Sequence, residues 1–279
     1  MRPAVVTIQR GRHEHLRRQA AAVAASPRRP VAHVVVSMDD EPPEVPGADV
    51  VHLAVAAGQP LPLARARNTG FEHAVRVHRA NQLIALDVDC LPSPSLIASY
   101  SRALARQPKW LLAGAVRYLP PGIPAAGALP SAAELLRAPH HPARPVPADD
   151  EILPEHRYEL FWSLSFAITP RVHQALGGFD ERYEGYGAED TDYAVRARQC
   201  ATPFGWVGDA EAYHQHHAVS SPPVEHLADI VRNARRFHAM WNSWPMPAWL
   251  AEFERRGLVD WDREAGTLSL RPMPRNRAA

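Results

Sequence analysis

Apolar, β-branched runs alternate with helix-like stretches through the first half of the chain, a pattern that predicts βαβ units and an α/β fold with a mostly parallel sheet. Val5–Ile8 reads as the first strand and His13–Ala25 as the first helix. Val31–Ser37 and Val50–Val55 read as strands, Leu63–His78 as an arginine-decorated helix, and Leu83–Leu86 as a short buried strand running directly into Asp87. A helix opened by Ser-Pro follows over Ser93–Arg106. Further on, Phe161–Ile168 reads as a strand, and Pro170 starts a short helix that stops at Gly177-Gly178. Glu189–Gln199 reads as a helix with acids in its first turn and Arg196 and Arg198 in its last, as the helix dipole favours. Phe204–Tyr213 supplies one or two more strands, and Val224–Met240 a last amphipathic helix.

The periodicity breaks between Leu119 and Glu155, where prolines and alanines surround His140 and His141. Proline at that density excludes a regular helix or a central strand, so a mobile loop is expected, acting as a lid or as a linker. The chain thereby divides into residues 1–118, a loop over 119–157, and residues 158–279 ending in a helical tail.

The length of 279 residues suits one α/β domain with its own core. Basic and acidic residues nearly cancel, 31 against 30, so no field suited to nucleic acid is present. Two cysteines, Cys90 and Cys200, make neither a disulfide framework nor a zinc knuckle, and a reducing compartment is expected. The amino terminus lacks the long apolar run of a signal peptide, and no stretch is long enough to span a bilayer. A cytoplasmic protein is the expectation, with the Trp-rich stretch Met240–Trp249 packing either on a membrane surface or on the protein body.

Three clusters carry candidate chemistry. Asp87-Val88-Asp89 places two carboxylates where a buried strand emerges, the position at which open α/β sheets collect ligands. Hard oxygen donors there suit Mg2+ or Mn2+, with substrate phosphates filling the remaining positions. Alone the triplet is weak, since turn-forming acids after a strand look the same. The second cluster, from Gly177 to Asp192, joins glycines and aromatics to acids at the start of a helix. A carboxylate held at a helix N-terminus stays ionised, as a general base for a sugar hydroxyl requires. The third is Tyr213-His214-Gln215-His216-His217 after a strand, where an imidazole offers a further metal ligand; His214 is the choice at the strand end and His216 the alternative.

The string Gly185-Tyr186-Gly187-Ala188-Glu189-Asp190-Thr191-Asp192 resembles the G-W-G-x-E-D-x-D loop of inverting β4-galactosyltransferases and of related galactosaminyltransferase and family 2 glycosyltransferase domains. Three further blocks fall in the same order: Ile8-Gln9-Arg10-Gly11-Arg12 is similar to P-F-R-N-R, Asn68-Thr69-Gly70-Phe71 to N-V-G-F, and Asp87-Val88-Asp89 to D-V-D. The resemblance implies a GT-A, Rossmann-like fold whose first half binds a nucleotide sugar and whose last part binds the acceptor. It implies an inverting transfer with Mn2+ or Mg2+, from a nucleoside diphosphate sugar, UDP-linked in the first instance, to a hydroxyl on a glycan, lipid-linked or small-molecule acceptor.

By the same resemblance Asp190 is the catalytic base, and Trp162, Gly178, Tyr186, Glu189 and Asp192 hold the acceptor or its loop. Thr7, Arg10, Arg12, Arg67, Asn68, Asp87 and Val88 face the nucleotide sugar, while Asp87, Asp89 and His214 hold the metal; Asp39, with Asp40 after the second strand, either contacts the nucleotide base as in such folds or only turns the chain before Pro42-Pro43. The chain departs from the pattern at Ile8, at Tyr186 in place of the loop tryptophan, and over Phe161–Ser165, positions that bear on donor and acceptor identity. The competing readings are a nucleotidyltransferase of similar fold, whose lysine-bearing phosphate loop has no match in Gln9-Arg10-Gly11-Arg12, and a degenerate sugar-binding module.

Overall fold

The computed structural model describes residues 1–125, 127–218 and 220–272. Its elements, in chain order, begin with β1 (Pro3–Gln9), α1 (His13–Ala25), β2 (Ala32–Ser37), β3 (Asp49–His52), α2 (Leu63–Arg76), β4 (Gln82–Leu86), β5 (Cys90–Pro92) and α3 (Leu96–Arg106). They continue with β6 (Leu111–Tyr118), α4 (Ala132–Arg137), β7 (Ile152–Glu155), β8 (Ser165–Ile168), α5 (Pro170–Ala175), α6 (Glu189–Gln199) and β9 (Phe204–His214). The chain closes with α7 (Leu227–Trp241), α8 (Pro247–Arg255) and a hairpin of β10 (Val259–Asp262) and β11 (Thr267–Leu270).

One sheet of nine strands runs in the order β3-β2-β1-β4-β8-β6-β9-β5, with β7 also paired to β9. The pairs β1·β2, β1·β4, β2·β3 and β6·β9 are parallel, whereas β8, β5 and β7 run against their neighbours. Most strands therefore share one direction, and the sheet is built from both halves of the sequence. Its central strands are buried on both faces, which is why β1 and β4 read as continuous apolar runs instead of alternating ones.

Helix α2 lies unusually close to this sheet. A Cβ added at Gly70 would fall 2.4 Å from Val6 Cγ1, so glycine is what lets the helix approach and carry Arg67 and Asn68 to the cleft. Helix α3 buries Leu96, Ile97, Tyr100, Ala103 and Leu104, one helical stripe, against the other end of the sheet.

The Pro/Ala-rich stretch is not the structureless loop expected. Ser131 and Glu134 form a capping box that starts α4, and β7 docks antiparallel on β9 at Ile152↔Val207. The tryptophans of Met240–Trp249 pack on the protein body: Trp244 stacks on His238 at 4.0 Å and meets Trp261, and Trp241 Nε1 donates to Asp192 at 2.9 Å. No helix among the described residues is long and apolar enough to cross a membrane.

Candidate active site

The cleft lies where β1, β2, β4, β6 and β9 end. Beyond β4, Asp87 N donates to Leu164 O at 2.9 Å and Cys90 N donates to Asp87 O at 2.8 Å, so the chain turns tightly into β5. Gln19 of α1 pins that turn by donating to the carbonyls of Asp87 and Cys90 at 2.7 and 2.8 Å. Register then does the rest: Cys90 sits opposite His214 in the β5·β9 pair, which brings Asp89 to the end of β9.

Asp89, His214 and His217 converge, with one ligand atom of each lying within 4.8 Å of the others. His214 Nε2 is 3.6 Å and His217 Nε2 3.3 Å from Asp89 Oδ2. His216, the alternative ligand, is exposed instead. The strand ends at His214, and the chain then turns so that the imidazole three residues on, not two, comes back to the cleft. Burial alone would raise the Asp89 carboxyl, but the hydrogen bond to His217 and the charges of His214 and Arg12 hold it down at about 2. One carboxylate and two imidazoles form a donor set that fits Mn2+ and leaves positions for phosphate oxygens. Arg12 also reaches Asp89 Oδ2 and would yield that oxygen to an ion.

Asp87 stands outside this triad, although the sequence suggested it as a ligand. It faces Arg67, whose Nη2 is 3.3 Å from Asp87 Oδ1 while Nη1 is 3.0 Å from Glu189 Oε1. Burial pushes Asp87 up to about 6 in spite of Arg67. Burial, with the charge of Asp190 next, likewise pushes Glu189 up to about 7. Glu189 Oε2 is buried with no hydrogen-bond partner among the described residues.

Asp190 opens α6 after a backbone that only a tight loop permits: Gly185, Gly187 and even Ala188 have positive φ, the last at 73°. Its Oδ1 accepts from Thr191 N at 2.7 Å, and Oδ2 lies 3.4 Å from Ser163 N. Ser163 adjoins Leu164, the residue that anchors Asp87, so both acidic motifs contact the short segment that leads into β8. Tyr186 is 38% exposed and stacks on His226 at 4.6 Å.

Several expected ligand contacts turn inward. Asp192 is fully buried, with Oδ2 2.8 Å from Arg196 Nε and Oδ1 bonded to Trp241, so of acceptor and loop it holds the loop. Thr7 is buried too and donates to Gln19 Oε1 at 2.7 Å, acting on the Asp87 turn instead of a nucleotide. Asn68 spends its amide on Phe179 N and O and on Glu181, and Gly178, at φ 72°, packs 3.0 Å from it by an added Cβ; both shape the loop. The Val88 side chain joins a core cluster with Leu16, Val35 and Val45, leaving only its backbone for a ligand. Asp39 accepts from Gly11 N and Gln9 Nε2, both at 2.7 Å, and pairs with Arg10, which also reaches Asp40 at 3.2 Å.

Two residues were missed. His217 is one; the other is Arg144, 6% exposed, whose guanidinium lies 4.0 Å over the Trp162 ring. Its Nε and Nη2 have no partner among the described residues, and Tyr118, then Asp190, act on its charge. Burial pulls Arg144 down to about 10. His141 closes the same corner, edge-on to Trp162 at 4.8 Å. Only an arginine amid Pro-rich sequence hinted at this, and such a signal does not separate it from Arg137 or the other arginines.

Comparison with known proteins bears on the fold. Residues 147–218 match a family model described as the N-terminal domain of galactosyltransferase. No curated protein matches the chain. Among solved structures, GalNAc-T7 with UDP, GalNAc and Mn2+ superposes with a TM-score of 0.55 at 14% identity, covering 91% of this chain and 57% of that one. The S. aureus TarS fragment 1-349 superposes with a TM-score of 0.56 at 13% identity, covering 95% and 68%. The chain thus spans little more than half the length of the GalNAc-T7 chain. The chain therefore has the GT-A fold shared with these two structures, and its 147–218 segment fits a galactosyltransferase family model.

Proposed function

We propose that the chain is an inverting, divalent-metal-dependent glycosyltransferase that moves a sugar from a nucleoside diphosphate sugar, UDP-linked in the first instance, to an acceptor hydroxyl. The observation that supports this best is the Asp89-His214-His217 cluster, with Asp87 and Asp190 contacting the adjacent residues Leu164 and Ser163 that lead into β8. Asp89, His214 and His217 would hold a divalent metal, which would supply positive charge for the departing diphosphate.

The remaining work falls to the chain's own side chains. Arg10 and Arg12 line the side of the cleft where the nucleotide and diphosphate bind, and Asp39 holds that loop in place. Asp190 takes the acceptor hydroxyl proton as the oxygen bonds to the anomeric carbon and the nucleoside diphosphate leaves from the opposite face. Trp162 and Tyr186 border the acceptor side, and Arg67 fixes Asp87 relative to the base helix. Residues 1–118 then act mainly on the donor and 158–279 on the acceptor, with 119–157 supplying Arg144 between them. A peripheral or cytoplasmic location is compatible with this chemistry.

The reading is tested by incubating the protein with UDP- and GDP-sugars, Mn2+ and an acceptor panel, following the released nucleotide and the product's anomeric configuration by NMR. Nucleoside diphosphate and an inverted linkage are expected. Release of pyrophosphate would instead indicate nucleotidyl transfer, and a retained configuration would remove Asp190 as base.

A further inference from the structure

A second cluster of ligand-type side chains lies away from the cleft, on the far edge of the sheet. Asp49 opens the edge strand β3, His73 sits in the last turn of α2, and His78 follows the end of that helix. His73 Nε2 is 2.6 Å and His78 Nε2 2.7 Å from the same oxygen, Asp49 Oδ2. The two rings are 5.6 Å apart and inclined at 57°. All three side chains are partly open to solvent, at 39, 26 and 25%.

We propose that Asp49, His73 and His78 form a second divalent-metal site, for an ion of the zinc class, that staples the end of α2 to strand β3.

Three features point to an ion. Both histidines present the same ring nitrogen to one carboxylate oxygen, so three potential ligand atoms lie within 4.8 Å of one another. Among the described residues no arginine or other carboxylate bonds to the side chains of the three, Arg2 reaching only the His78 backbone carbonyl, which leaves the imidazoles without a competing partner. Two imidazoles and a carboxylate, with a position left to solvent, form a donor set that zinc accepts, whereas magnesium and calcium prefer oxygen alone. The ligands come from separate segments, so the set exists only in the folded chain and an ion binding it stabilises that state. Helix α2 also carries Arg67 into the cleft, so the staple would steady the helix that links the two acidic motifs.

The site does not depend on the glycosyltransferase reading, and the test separates the two metal clusters. Chelator-treated full-length chain is titrated with zinc chloride by calorimetry and followed by thermal unfolding. In a His217→Ala background, which weakens the cleft cluster, one zinc equivalent is expected to remain and to raise the Tm. His73→Ala and His78→Ala, each added to that background, should weaken this binding at least tenfold, with circular dichroism confirming the fold. Absence of zinc binding tighter than ~0.1 mM in the His217→Ala chain, or binding indifferent to both histidine substitutions, would overturn the proposal. A wild-type chain that binds a single zinc, lost on His73→Ala, would support this site while removing the cleft metal.

Discussion

Arg67 and Glu189, 122 positions apart in sequence, meet through a 3.0 Å ion pair in the floor of the cleft. Both side chains are almost wholly buried, at 7 and 8% exposure, and the same guanidinium reaches Asp87. Taking away the cation leaves one buried carboxylate, Glu189, and one half-buried carboxylate, Asp87, unpaired. Arg67→Met is therefore expected to cost about 3–5 kcal/mol in urea unfolding. Adding Glu189→Gln should recover part of that loss, because a neutral amide needs no counter-charge.

Asp190→Asn keeps the shape of the side chain and removes its capacity to accept a proton. Transfer should fall by about 10²–10⁴-fold while thermal stability and nucleotide binding stay near wild type. Single-turnover kinetics beside a nucleotide titration measure both, and unchanged turnover would assign the base elsewhere.

The neighbouring histidines offer an internal control. His217→Ala should weaken Mn2+ binding by calorimetry at least tenfold, while His216→Ala, altering an exposed ring, should leave it unchanged. Equal effects from the two would break the assignment of the cluster.

Arg144 is a buried cation without a hydrogen-bonded anion among the described residues, which is a cost to the folded chain unless a ligand supplies the charge. Replacing it with Met should leave the Tm at or above wild type, since burying an apolar chain of similar volume is neutral or stabilising by about 1–4 kcal/mol. Turnover should nonetheless drop tenfold or more. A protein that loses stability and activity together would make Arg144 a packing residue.

His33 is buried on β2 beside Thr7, and burial holds its imidazole down at about 4 against an ordinary 6.5. The unfolded chain then binds the extra proton first as the solution is acidified. The stabilisation linked to neutral His33 is whole above pH 6.5 and erodes as the pH falls toward about 4, by on the order of 3 kcal/mol. Subtracting the stability curve of His33→Gln from that of wild type isolates this contribution from the opposite trend expected of Glu189. A flat difference between pH 4 and 6.5 would contradict it.

Local signals in the sequence carried the helices well: α1 and α6 begin and end where periodicity and end-charges place them. Strands that exist only through pairing did not show. β5 and β7 are three and four residues long and owe their form to β9, while β6 is an unalternating buried run whose identity depends on β8 and β9 flanking it. The same limit governs the site. Asp87 follows β4 and Asp190 lies in the first turn of α6, both elements with strong local patterns, so these positions were legible. The direction of a side chain at the rim is set by packing, which is why Thr7 and Asp192 turn inward and why His217, not His216, returns to Asp89.

The loop ahead of Asp190 is gripped from behind by α7. Asn233 Nδ2 donates to the carbonyls of Glu184 and Gly187 at 3.0 and 2.9 Å, and a Cβ on Gly185 would collide with Asp229 at 2.1 Å. Helix α7 is thus the back wall of the loop that leads to Asp190 rather than an appendage. Anyone grafting a different tail onto this scaffold must transplant Asp229 and Asn233 with it, or the hinge beneath the base will have nothing to lean on.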